Sequence, residues 1–341
     1  MKVRITPISE TESHSIHNPD DSLFLEPSFR HALAREFRLQ AVDLQLEVQE
    51  HAITIPAYRK YSGQRQRIII GAGFDKSGDV QLPAGMSFAD CIAALTTALK
   101  QQHRKVTRLE IRSKHRLPGM HDHSDKTELV IQPGKPCSEW IMDFSKSTRR
   151  NIRLPFKHGF YYETGTGLQQ LETFYRLYLQ HMHELGSLSH SRTFFQELWE
   201  NCRDNISLFI GYIGKTPVVA SFQLLSTDEV YSAWVGMNAE YKKFNVLLGL
   251  IWSLTEYCQQ SGRSRYNLGR SSVNSGAYHL KKRLANQERR IYYYDLNLHT
   301  GKSALPGKLH SPVYKGASGL IRNSPPLLMQ SLSRHLMHRF Y

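Results

Sequence analysis

Two stretches of this chain repeat one order of periodicities, and that order limits the fold more than any single motif. In residues 22–39, Phe29, Leu33 and Phe37 fall four apart and share one helical face. Extended segments follow at 41–48, 51–58 and 66–70, the first two flanking Glu50 as the arms of a hairpin would. A helix over 87–103, with Phe88, Cys91, Leu95 and Leu99 in register, precedes a strand at 106–111 that stops before the basic run Arg112–Arg116. Residues 117–139 read as a loop holding one strand at 128–131, and 145–159 as a short basic helix. The pattern then returns. Helices over 168–183 and 193–201 lead to strands at 206–213, 217–226 and 229–237, an apolar helix over 246–258 and a strand at 265–268, with a last strand at 291–298. Helix, antiparallel strands, helix, strand, twice over, predicts an α+β (mixed α/β) chain made of two copies of one unit. The units are expected at 1–139 and 140–300, with a helical tail at 301–341.

Apolar residues are 40% and charged residues 22% of the 341, the balance of a soluble globular protein. No apolar run approaches the roughly 18 residues that span a bilayer, and the polar start has no secretory pattern, so the cytoplasm is the expected compartment. The four cysteines, Cys91, Cys137, Cys202 and Cys258, have no metal or disulfide spacing and are expected as buried, reduced thiols. Charge is more informative. Residues 1–140 carry 19 Lys/Arg against 17 Asp/Glu, whereas 141–341 carry 25 against 13, so nearly all of the net +14 lies in the second half. Such an excess suits an anionic partner or a plain solvated basic face, and charge alone does not choose. The tail has six Lys/Arg and no acids. Its Leu327, Leu328, Leu332, Leu336 and Met337 could line a basic amphipathic helix, either lying on an anionic membrane or packing on the core.

The segment Arg265–Arg283, RYNLGRSSVNSGAYHLKKR, runs from a short strand into small residues and then into cations. Gly269 and Gly276 permit close backbone approach; Arg270, Ser271, Asn274 and Ser275 offer donors; Lys281, Lys282 and Arg283 add charge. Phosphate cradles are built in this way, and so are polar surface loops. Arg149 and Arg153 stand i,i+4 on the basic helix, a spacing that clamps a phosphate or faces water. Other candidates are weaker. His115, His121, Asp122, His123 and Asp125 lack regular metal spacing, Gly71-Ala-Gly73 with Gly78 lacks the rest of a nucleotide fingerprint, and Tyr292–Tyr294 read as alternating strand residues. Asp228, Tyr231 and Glu240 read as structural, so no general base is evident.

These residues also resemble a known family. The stretch FSKSTRRNIRLPFKHGF (144–160) is similar to "K.R..I.KA...G", LGSLSHSRTFFQEL (185–198) to "LGTPV..RRFFE.L", and KTPVVASFQL (215–224) to a "G.PVAA" strand. GRSSVNSGAYHLKKRL (269–284) is similar to "GRS..GTG.Y.FKK.WG", and residues 311–340 to the family's Pro-rich, basic ending. Taken in order, they resemble the FemAB-like branch of the tandem GNAT-fold acyltransferases, nearest the variant associated with exosortase (PEP-CTERM) exopolysaccharide loci. The resemblance implies two GNAT-like domains about a central cleft, and a sequential transfer of an acyl or aminoacyl group to an amine of a cell-envelope or exopolysaccharide precursor. No bound cofactor or metal is implied; acyl-CoA or aminoacyl-tRNA would be the co-substrate. The acceptor would be an anionic glycan or lipid-linked saccharide, with tRNA as a further partner and peripheral contact at the inner membrane face through the tail. Lys281, Tyr278 and Arg270 would be catalytic. Arg149, Arg150, Arg153, Ser271, Asn274, Ser275, Gly276, Lys282 and Trp234 would bind substrate. Leu280 and Leu284-Ala285 depart from the pattern, and Tyr241–Gly249 lacks the glycine-rich turn that holds the CoA pyrophosphate. A non-catalytic protein that binds anionic glycan or nucleic acid is the rival reading.

Overall fold

The computed structural model describes residues 2–9, 22–48, 50–71 and 82–301, and in the C-terminal segment 318, 319, 321–323, 330, 333 and 335–337. The chain divides into two compact units, Met1–Thr127 with Arg290–Leu309, and Glu128–Arg289 with His310–Tyr341. In the first, β1 (Lys2–Pro7) leads through α1 (Ser22–Leu25) and α2 (Pro27–Phe37) to a meander of β2 (Gln40–Val48), β3 (His51–Ser62) and β4 (Arg65–Ile70). Helix α3 (Phe88–Gln102) then crosses to β5 (Val106–Ser113). After β6 (Lys126–Ile131), α4 (Cys137–Trp140) and α5 (Lys146–Lys157), the order is repeated. Strand β7 (Phe160–Gly165) leads through α6 (Leu168–Leu185) and α7 (Arg192–Asn201) to a meander of β8 (Ile206–Ile213), β9 (Thr216–Leu225) and β10 (Glu229–Met237). Helix α8 (Val246–Gln260) crosses to β11 (Arg265–Ser272). The described elements close with α9 (Gly276–Lys282), β12 (Gln287–Arg290) and β13 (Tyr292–Asn297).

In both units the crossover helix returns the chain to the same end of the sheet, so β4 runs parallel to β5 and β10 parallel to β11. The units differ from those expected at 1–139 and 140–300 by an exchange of strands. The six-stranded sheet has the order β1-β2-β3-β4-β5-β13, and the seven-stranded one β12-β6-β11-β10-β9-β8-β7. The strand read at 128–131 therefore serves the second sheet, and the one read at 291–298 serves the first, where Tyr292 pairs with Ser113. Backbone pairing between distant segments has no residue signature, which is why the sequence assigned both strands to their chain neighbours.

Local chemistry explains the other boundaries. Pro27 has no amide hydrogen and holds Glu26 extended (φ −59°, ψ 131°), so the helix read over 22–39 is cut into α1 and α2. Ser87 and Asp90 form a reciprocal capping box at α3, whose Phe88, Cys91, Leu95 and Leu99 are buried as their spacing predicts. The hairpin is present, with Val48 opposite His51. Strand β5 continues past Ile111 and carries Arg112 into the sheet, where Glu110 accepts its guanidinium at 2.8 and 3.0 Å and the Tyr293 ring lies 5.1 Å away. All four cysteines are buried, and none is joined in a disulfide among the described residues. Burial pushes the Cys91 thiol up to about 11 and those of Cys137 and Cys258 up to about 12.

Candidate functional site

The seven-stranded sheet is interrupted at its parallel junction. β10 and β11 pair at Glu229–Arg265, Val230–Tyr266 and Tyr231–Asn267; there the ladder ends, although both strands continue. A register shift between Ser232 and Trp234 marks a bulge in β10 at this point. Opposite it, Gly269 has φ +72°, and a Cβ there would lie 2.7 Å from the Ser232 carbonyl oxygen. Only glycine lets β11 turn past β10 in this way.

The turn from β11 into α9 brings together most of the candidates from 270–282. β11 reaches Ser272, so Arg270 and Ser271 are strand residues rather than loop residues. Arg270 is exposed. Ser271 is buried, and its hydroxyl has no hydrogen-bond partner among the described residues. Asn274 takes φ +65° in the turn. Ser275 caps α9 by accepting the Tyr278 amide at 3.1 Å, and Gly276 opens the helix with nothing near its Cβ position. Tyr278 donates to Glu288 at 3.2 Å, and Lys282 meets the same carboxylate at 2.6 Å. Lys281, on the other side of the helix, turns back on β11, where its ammonium donates to the carbonyls of Gly269 (3.4 Å) and Arg270 (3.3 Å). Burial of that ammonium draws its pKa down to about 8; the Arg270 charge adds to the shift and Glu128 opposes it.

Beneath Lys281 lies a polar group absent from the sequence reading. Glu128 of β6, Asn267 of β11 and Glu229 of β10 are all buried side by side across the sheet. Asn267 donates to Glu128 at 3.2 Å and to Glu229 at 3.3 Å. Arg265 and Arg289 approach Glu229 at 3.7 and 3.5 Å. A lone acid inside the strand-like run Thr127-Glu128-Leu129-Val130-Ile131 was the one visible signal.

The arginines of α5 stand apart from this group. α5 packs on α8, Pro155 filling the space beside Gly249, and on β7, four strands from β11 and so roughly 19 Å across the sheet. Of the pair Arg149 and Arg153, Arg149 is half-buried and donates to the Met142 carbonyl at 3.0 Å, while Arg153 is exposed. The exposed line is instead Lys146, Arg150, Arg153 and Lys157, with no acidic partner among the described residues. Trp234 is buried and its ring meets those of His190, Phe194, Phe195 and Phe222, so it serves the core between β10 and the α6–α7 pair.

Gly249 was the sole glycine in the segment where a CoA pyrophosphate turn is sought. Its Cβ position would lie 2.8 Å from Pro155, so it serves helix packing, and α8 is entered through a turn bearing exposed Lys242 and Lys243. Nearby His181 is held below the usual histidine range by burial and by Lys242. The remaining candidates have structural partners. His121 and His123 contact each other at 3.1 Å, Asp122 accepts from Arg290 and the Tyr293 amide, and no group of three His, Cys, Asp or Glu among the described residues could hold a metal. Asp228 caps the turn before β11 by accepting the Ser264 amide. Gly73, Gly78, Leu327, Leu328 and Leu332 lie outside the described residues. Of the tail, Arg322 donates to the Leu185 carbonyl and Ser333 accepts the Ser189 amide, so its described part packs on the α6–α7 loop.

Comparison with known proteins bears on the fold. The family model for the acetyltransferase (GNAT) domain matches residues 142–282. No curated protein matches. Among solved structures, the chain is similar to FemX, with TM-score 0.61 and 13% identity over 87% of this chain and 98% of that one. It is similar to a conserved protein of unknown function from Bacteroides thetaiotaomicron VPI-5482, with TM-score 0.54 and 10% identity over 85% and 98%. It is also similar to L-PGS from Bacillus licheniformis, with TM-score 0.50 and 12% identity over 86% and 93%. The fold is thus α+β with two GNAT-like units in tandem.

Proposed function

We propose that this protein is an acyltransferase whose second unit moves an acyl or aminoacyl group from an activated ester or thioester to an amine. The observation that carries this reading is Lys281, a cation set at the point where the β10–β11 ladder opens. The acceptor nitrogen attacks the donor carbonyl, the N–C bond forms, and the C=O electron pair moves to oxygen. Collapse of that tetrahedral oxyanion expels the alkoxide or thiolate, which takes up the proton released by the amine. A fixed ammonium beside the oxyanion favours the transition state over the ground state, while Arg270 and the Ser271 hydroxyl, which has no hydrogen-bond partner among the described residues, supply further donors at the same turn. Positioning does the rest, and a neutral amine needs little base assistance. Tyr278, occupied with Glu288, orients α9.

The donor favoured by these residues is aminoacyl-tRNA rather than acyl-CoA. The pyrophosphate turn is missing, and the exposed cations of α5 form a row about 16 Å long, a positive stripe that suits a polyanion such as a nucleic-acid strand. The acceptor class, an amine on an anionic envelope or exopolysaccharide precursor handled in the cytoplasm, follows from the resemblance in sequence. Among the described residues no helix is long and apolar enough to cross a membrane. Leu284 is buried and Leu280 packs against the same core, so these departures have a packing role.

Binding of aminoacyl-tRNA and acetyl-CoA, titrated over salt and followed by single-turnover transfer with wild type and Lys281→Met, tests the proposal. Steeply salt-dependent tRNA binding, with transfer lost in the variant, is the expected result. Binding without transfer in either protein supports the rival reading of a glycan- or nucleic-acid-binding protein. Salt-resistant CoA binding with transfer reverses the choice of donor.

A further inference from the structure

The acids beneath Lys281 raise a question of geometry. In an extended strand successive carbonyls point to opposite sides, yet those of Gly269 and Arg270 both accept one ammonium, at 3.4 and 3.3 Å. Gly269, at φ +72°, swings the 269–270 peptide out of the strand's regular course and so sets the direction of the Gly269 carbonyl. That turn is tied from one side: the Asn267 amide oxygen accepts the Gly269 N–H at 2.9 Å. The Asn267 amide nitrogen is tied in turn to Glu128 and Glu229. An amide is the group that fits, since it offers two donor hydrogens to two carboxylates and one acceptor to the backbone. An aspartate would add a third buried negative charge, and an alanine would remove the donors from both acids.

We infer that Asn267 is a positioning residue, held between Glu128 and Glu229, that fixes the Gly269 kink and so sets where the Lys281 ammonium stands. The role in transfer rests on the reading of Lys281 given above; the positioning itself does not. The charges acting on Lys281 are Arg270 of β11 and Glu128 of β6, while its helix neighbours Tyr278 and Lys282 are turned to Glu288.

The test is peptide-resolved labelling of the full-length protein with acetic anhydride across pH, reading the Lys281 midpoint against that of Lys282. Wild type should give a Lys281 midpoint near 8. Asn267→Ala should raise it by about one pH unit or more, because the ammonium leaves its buried seat. Asn267→Ser, whose hydroxyl can still accept the Gly269 N–H, should fall between. Glu128→Gln keeps an acceptor for Asn267 but removes a favourable charge, and should lower the midpoint; a general loosening of the unit would raise it in both variants. An unchanged midpoint in folded Asn267→Ala overturns the inference, as does an upward shift with Glu128→Gln. If Asn267→Ala does not fold, an unchanged midpoint in Asn267→Ser decides against it. Labelling needs no turnover, so failure to transfer from any donor removes the transferase reading while a shifted midpoint still upholds Asn267.

Discussion

The two parallel junctions, β4–β5 and β10–β11, are one element made twice, and only the second is open. The β4–β5 ladder runs from Gln66–Val106 to Ile70–Ile111, with Ile68, Ile69 and Ile70 all buried at its end. After it, Gly71 at φ +73° would place a Cβ against the Arg112 carbonyl oxygen, so the residue next to the end of β4 still lies close against β5. The β10–β11 ladder stops after Tyr231–Asn267, where the bulge, Gly269 and the buried polar group of Glu128, Asn267 and Glu229 coincide. A duplicated frame therefore yields a candidate site only where its ladder is broken. In the first unit apolar burial zips the same junction shut.

The comparison is most exposed at the two lysines that follow the junctions. Lys281→Met should lower single-turnover transfer by about 10²–10³-fold, whereas Lys114→Met, after β5, should change it less than about twofold; equal losses would make the first unit catalytic as well. The two glycines come next. Gly71→Ala and Gly269→Ala should each cost about 2–4 kcal/mol in denaturant unfolding, from positive φ and a backbone clash. Only Gly269→Ala should also reduce transfer per folded molecule.

Acidity provides a third contrast. If Lys281 acts as an ammonium, transfer should fall by half as pH rises through about 8, and a rate that climbs through the same pH would make Lys281 a base. Stability moves the other way. Between about 8 and the ordinary lysine pKa the unfolded chain binds a proton that the folded chain does not, so stability rises with pH in that window. Lys281→Met should flatten that slope in melts across the window.

Smaller effects are expected at the surface and at Ser271. Arg150→Glu with Arg153→Glu should weaken tRNA binding and reduce the slope of log affinity against log salt by about 2, leaving CoA binding unaltered. Ser271→Ala should shift unfolding by less than about 0.5 kcal/mol, since its hydroxyl loses no partner. A measurable loss of transfer in that variant would place the hydroxyl against substrate.

Periodicity alone determined most of the elements and their order. Phe88, Cys91, Leu95 and Leu99 announce α3 because side chains four apart share a helix face, and alternation announces the meanders. The run Gly269–Lys282 stands out in the sequence as a candidate stretch because small residues and cations are unusual together after a strand. It was not legible that Lys281 and Lys282 face opposite ways, that Ser275 caps α9, that Trp234 belongs to an aromatic core, or that Arg149 turns inward while Arg150 and Arg153 stay in water. Nor could the sequence pair β13 with β5, place β6 beside β11, or gather Glu128, Asn267 and Glu229 from three separate strands. Those outcomes depend on which backbones hydrogen-bond across the sheet and on where a ladder fails. Such choices are made among residues far apart in the chain, and a local pattern carries no record of them.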